Sequence, residues 1–123
     1  MQGMIQTPDP TAEFLTPEGC YILESWNDPK DTAASIARAR VPVEETTQLH
    51  FLRDVDERYL IIEGSGIARI GELAPKVVGP GDVVIIPAGT PQQITNTGDD
   101  DLIFYCICTP RFTPDCYEPL ANV

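Results

Sequence analysis

Histidine occurs once in the 123 residues, at His50, and lysine only at Lys30 and Lys76. A single imidazole excludes any site that needs two or more histidines from one chain. Eight basic residues stand against 19 acidic ones, a net charge of -11, so a nucleic-acid backbone would be repelled rather than neutralised. Anionic membrane surfaces are disfavoured on the same ground. No apolar run approaches the ~20 residues that cross a bilayer. The opening MQGMIQTPDPTAEF lacks the basic start and apolar centre of a signal peptide, and the expected setting is the cytoplasm. Cys20, Cys106, Cys108 and Cys116 form no C-x-x-C pair, which removes zinc-ribbon and thioredoxin-type motifs. Cys106 and Cys108 share one face of a strand, where free cysteine behaves as a small buried hydrophobe, and a disulfide framework is the weaker reading. A long amphipathic helix is missing too.

What remains is a chain for one domain with a single modest core. Prolines at Pro8, Pro10 and Pro17 make residues 1–17 an extended arm. Short β-branched and aromatic runs predict strands over 20–26, 32–41, 46–53, 58–63, 67–70, 76–78, 83–86, 92–96 and 102–108. Gly and Pro turns such as Gly79-Pro80-Gly81-Asp82 and Pro87-Ala88-Gly89-Thr90-Pro91 divide them. Strands of this length and spacing predict an all-β antiparallel sandwich or barrel over 18–109. Residues 110–123 form a second arm, whose Phe112 and Tyr117 are expected to pack back onto the barrel or onto a second subunit.

The chemistry concentrates in HFLRDVDERYLIIEG, residues 50–64. If Asp54 to Asp56 make the turn, His50 and Glu57 face each other across a hairpin, with Tyr59 on the face of Glu57. An imidazole and a carboxylate so placed can bind a metal, or act as a base and its orienting partner. Tyr59 offers a second proton donor or acceptor. Arg53 and Arg58 flank the turn, where pairing with Asp54 and Asp56 is the plain expectation and an acidic ligand the alternative.

Two blocks carry a family pattern. His50 and Glu57 are followed, after six residues, by Gly64; Gly81 is followed after five residues by Pro87-Ala88-Gly89, then Gln92 and Asn96. This resembles the paired signature of the cupin superfamily, which implies a double-stranded β-helix, or jelly-roll barrel, with short irregular arms. The chain departs from the pattern at Glu44, where the family usually has glycine, and at Leu52 and Gln92, where it usually has histidine. The resemblance implies a divalent transition metal (Mn, Fe, Ni or Zn) held weakly by His50, Glu57 and Gln92. A metal-free cavity fits these residues equally well. It also implies a small-molecule ligand among Leu52, Tyr59, Ile61, Gln92 and Ile94, and a homodimer, to which apolar outer positions at Ile103, Tyr105 and Ile107 add weight. Three functions stay open: a weak metal site acting on a small molecule, a metal-free epimerase, isomerase or cyclase using His50, and a non-catalytic binding or sensing barrel.

Overall fold

A computed structural model describes residues 1–121. Eleven strands follow one another: β1 (Phe14–Leu15), β2 (Tyr21–Trp26), β3 (Ser35–Val41), β4 (His50–Leu52), β5 (Asp56–Glu63), β6 (Gly66–Ile70), β7 (Lys76–Val78), β8 (Val83–Ile86), β9 (Gln92–Asn96), β10 (Leu102–Thr109) and β11 (Tyr117–Pro119). They form two facing antiparallel sheets, ordered β1-β2-β3-β10-β5-β8 and β11-β4-β9-β6-β7. No described helix is long and apolar enough to cross a membrane.

Period-two alternation builds the interior. On β5, Glu57, Tyr59 and Ile61 are buried while Arg58, Leu60 and Ile62 face outward; on β8, Val84 and Ile86 are buried and Val83 and Ile85 are exposed. The core joins Val41, Ile61, Ile86, Ile94, Leu102 and Phe104 across both sheets. A second cluster at one end holds Leu52, Val55, Cys108 and Cys116, with Phe112 and Tyr117 packed against it. The C-terminal arm therefore folds back on the barrel. Both arms also add strands, β1 beside β2 and β11 beside β4. The last two residues of the expected C-terminal arm lie outside the described ones.

Three expectations change. The strand expected over 32–41 starts at Ser35, because the Asp31 carboxylate takes Trp26 Nε1 and the Ala33 amide and holds the preceding residues in a turn. The strand expected over 46–53 shortens to His50–Leu52; Thr47 is tied to β9 through the Ile94 carbonyl instead of a continuous ladder. His50 and Glu57 are not partners in a hairpin. β4 pairs with β9 and β11, whereas β5 pairs with β10 and β8. Asp54 takes φ 62° and Val55 buries itself in the end cluster, so the chain crosses from one sheet to the other between the two residues. Both side chains line the cavity between the sheets.

The outer face of the larger sheet differs in detail as well. Its ladder places Ile36, Ile107, Arg58 and Ile85 in one row and Arg38, Tyr105, Leu60 and Val83 in the next. Ile103, paired with Arg40 on the outer side, is itself covered at 8 % exposure; the exposed apolar residues of β3, β5 and β8 are Ile36, Ile62, Val83 and Ile85. Arg53 reaches Glu118 and the Asp115 carbonyl, and Arg58 donates to Thr109 Oγ1, so neither pairs with Asp54 or Asp56.

Glu44, which stands where the resembled pattern carries glycine, has φ 70°. This is the left-handed region that glycine favours, and a side chain there costs about 1 kcal/mol. Glu44→Gly is expected to raise the melting temperature by roughly 4–8 °C. Thermal unfolding checks this; an unchanged or lower midpoint would count against strain at Glu44.

Candidate functional site

A cavity of about 400 Å³ opens between the sheets at the end capped by the two arms. Inward positions of β4 and β5 bring His50, Leu52, Glu57 and Tyr59 to its wall, β10 brings Phe104, Cys106 and Cys108, and the arms add Phe14, Glu18, Phe112 and Tyr117. Gln92, Ile61 and Ile94 are not among the described lining residues. Ile61 and Ile94 belong to the packed core, and Gln92, fully buried, accepts a hydrogen bond from the Tyr59 hydroxyl. Gln92 therefore supports the wall from behind, and its Nε2 has no hydrogen-bond partner.

His50 is 3 % exposed, and its Nδ1 lies 2.7 Å from the Gln48 carbonyl oxygen. A carbonyl only accepts, so Nδ1 carries a proton and Nε2 holds the lone pair of the neutral ring. Glu18 Oε2 is 3.6 Å from the same Nδ1. Tyr117 stacks on the imidazole with centroids 4.9 Å apart, fixing the plane of the ring. The orienting partners of His50 are thus the Gln48 carbonyl and Glu18. Glu57, expected in that role, lies on the opposite sheet.

Glu18 escaped the sequence reading because it is one of 19 acids and sits in a turn without a spacing signature. Gly19, at φ 93°, bends the chain there, and the Gln48 amide bonds the Glu18 carbonyl, which seats the residue beside β4. Burial pushes the Glu18 carboxyl above its ordinary value, and neighbouring His50 opposes that rise.

Glu57 is buried with Oε1 unpartnered; Oε2 accepts a contact from the Cys108 thiol at 3.6 Å. Burial pushes its pKa up to about 7, and the polar neighbours Gln92, Cys108 and Cys106 offset this in part. The Gln92 amide tempers the charge without meeting Oε1 in hydrogen-bonding geometry. Burial also raises the Tyr59 hydroxyl and the thiols of Cys20, Cys106 and Cys108, the nearby carboxylates adding to the effect. All four cysteines are free. The lining includes the carboxyls of Glu18, Glu24 and Glu57, the His50 imidazole, and thiols that stay protonated near neutral pH.

This donor set does not fit a resident divalent metal. Among the described residues no group of three or more His, Cys, Asp or Glu is placed to hold an ion. The Gln92 oxygen that would coordinate a cation is occupied by Tyr59, and its free Nε2 is a donor that repels one. At the second histidine position of the pattern stands Leu52, which has no donor atom.

Comparison with known proteins agrees with the fold. The family model of the cupin domain matches residues 37–108. An uncharacterized protein of Methanocaldococcus jannaschii is 32 % identical over 114 residues, covering 91 % of this chain and 90 % of that one. A His-to-Gln variant of Streptomyces PAC13 with uridine superposes with a TM-score of 0.80 at 15 % identity, covering 99 % and 94 % of the two chains; Pac13 is a nucleoside dehydratase. An uncharacterized protein of Klebsiella pneumoniae with a double-stranded β-helix domain gives a TM-score of 0.73 at 12 % identity, covering 89 % and 90 %. The family match over residues 37–108 and the archaeal relative together establish that this chain belongs to the cupin family.

Proposed function

We propose that the chain is a metal-independent acid–base enzyme acting on a small polar molecule, with His50 as general base and Glu57 as general acid. One observation carries the reading: Nδ1 of the only histidine is committed to the Gln48 carbonyl, leaving Nε2 as the basic nitrogen in a cavity whose opposite wall holds a carboxyl titrating near neutral pH. The reaction class that suits this pair removes a proton from carbon beside a carbonyl. The C–H bond breaks, its proton goes to Nε2, and the electron pair moves onto the carbonyl oxygen. Return of a proton on the other face gives epimerisation; loss of a β-hydroxyl, protonated by Glu57 and leaving as water, gives dehydration. Glu18 offsets the imidazolium charge that forms. Tyr59 is a positioning residue, because its hydroxyl is spent on Gln92. The cavity volume suits one nucleoside or sugar, and the fold shared with a nucleoside dehydratase supports carbonyl-bearing compounds of that class.

A cytoplasmic setting belongs to the same reading, on the ground that four free thiols suit a reducing compartment. So does a homodimer formed through Ile36, Ile62, Val83 and Ile85 on the outer face of the larger sheet, where single-sided apolar exposure favours a partner. Sedimentation equilibrium of wild type and Ile85→Glu is expected to show a dimer weakened at least tenfold in the variant; monomeric wild type at 100-fold concentration range would remove the dimer.

Two outcomes test the chemistry. In D₂O, a panel of nucleoside and hexose aldehydes and ketones is screened by proton NMR for enzyme-dependent deuterium exchange. Exchange found with wild type is expected to fall by about 10²–10⁴ in His50→Gln, and equal exchange in the variant would remove His50 from the mechanism. The second outcome concerns stability. Because the folded Glu57 carboxyl is raised from 4.5 to about 7, the unfolded chain loses this proton first as pH rises. Its burial therefore costs nothing below pH 4.5, costs progressively more up to pH 7, and levels at about 3 kcal/mol above that. Glu57→Gln is expected to match wild type at pH 4 and to melt several degrees higher at pH 8. Parallel pH profiles for the two proteins would contradict a buried proton at Glu57.

A further inference from the structure

Among the described residues lining the cavity, the single permanent cation is Arg111, in a chain of net charge -11. It is half-buried in the lining, with the exposed Glu24 and the half-buried Asn27 as its neighbours there. The other described arginines that meet carboxylates are spent on them: Arg38 and Arg40 on Glu13, Arg40 also on Asp101, and Arg53 on Glu118. Arg111 has no carboxylate oxygen within 4.0 Å among the described residues, although Glu24 is near enough for the guanidinium to lower its pKa against the rise caused by burial.

The side chain is nonetheless held. Arg111 Nε donates to Asn27 Oδ1 at 2.7 Å, Asn27 Nδ2 donates to the Phe112 carbonyl at 2.8 Å, and the Arg111 amide donates to the Thr32 carbonyl at 3.1 Å. The Phe112 amide is fastened to Ser35 Oγ at 2.9 Å. With Nε tied, the guanidinium plane is set, and both terminal nitrogens lack a partner among the described residues. A fixed fork with two free donors is the geometry that takes an oxyanion bidentately, at little cost in side-chain entropy.

We infer that Arg111 is the anchor for an anionic group, phosphate or carboxylate, on the small molecule that enters this cavity. The lining makes the orientation one-way. Beside the buried Glu57 and the half-buried Glu18 an anion would meet a carboxyl, whereas beside the half-buried Arg111 it meets a cation; the uncharged, reacting part of the molecule is then directed toward the buried His50. This rests on the reading of the cavity as a substrate site, but not on any turnover by His50.

The test is a titration of the full chain, labelled with ¹⁵N, in which the Arg111 Nε–H resonance is followed against inorganic phosphate and, separately, acetate, at constant ionic strength made up with chloride. A saturable shift is expected, absent from Arg111→Gln spectra at the neighbouring Asn27 and Phe112 amides, and at least tenfold weaker in Arg111→Lys, which keeps the charge but loses the fork. Tighter saturation by phosphate than by acetate assigns a phosphorylated ligand, and the reverse order a carboxylate. A non-saturable drift, or a saturable shift at Asn27 and Phe112 that persists in Arg111→Gln, would overturn the anchor. Neither anion needs to react, so failure of deuterium exchange leaves this result standing, and failure here leaves the roles of His50 and Glu57 untouched.

Discussion

The 2.7 Å hydrogen bond from His50 Nδ1 to the Gln48 carbonyl sets the tautomer of the chain's only imidazole, and the rest of the cavity is arranged around it. The acceptor is the backbone carbonyl of Gln48, two residues before the short strand β4, and no substitution of a side chain removes it. Tyr117 then holds the ring plane from the C-terminal arm, and Glu18 approaches the protonated nitrogen from the N-terminal one. The histidine is thus oriented by three separate parts of the chain. Each arm has a reason to be there that the barrel alone would not supply.

Opposite, the wall works by withholding partners. A buried carboxyl that accepts two or three strong hydrogen bonds becomes a stronger acid; one that is desolvated and left half-satisfied holds its proton. Glu57 is the second kind, with Oε1 unpartnered and Oε2 meeting only a thiol. Gln92 is prevented from satisfying it, because Tyr59 fixes the amide oxygen and so the direction of the whole amide. Leaving a buried carboxyl unsatisfied costs stability, and such costs collect at sites where a group must change its protonation state. The cysteines fit beside it for the same reason: as neutral thiols they add little polarity and keep the carboxyl desolvated.

How much of this was legible follows from the range of each interaction. Strand positions and the barrel were readable because alternation and Gly/Pro punctuation are local, as β6 to β9 show almost residue for residue. His50 and Glu57, which both line the cavity, could be picked out by scarcity and spacing. Their relation could not. A seven-residue separation suits a hairpin, yet the burial of Val55 in the end cluster, with partners more than fifty residues away, carries the chain to the other sheet instead. Gln92 was placed in the cavity by pattern, but a side chain's depth depends on its neighbours, and Gln92 is fully buried with its amide oxygen taken by Tyr59. Glu18 and Arg111 gave no signal at all, since each acts only through loops brought together by the closed barrel.

The departures from the family pattern are coherent when taken together. Replacing one ligand histidine by leucine leaves an apolar wall; replacing another by glutamine leaves an amide that must find partners. In isolation the buried Gln92 would cost stability, and Tyr59 on the facing strand relieves half of that cost through one hydrogen bond. The carboxylate position keeps its glutamate, and burial at Glu57 moves that group toward neutrality. Glu44 departs in the backbone as well, holding at φ 70° the left-handed conformation that glycine favours.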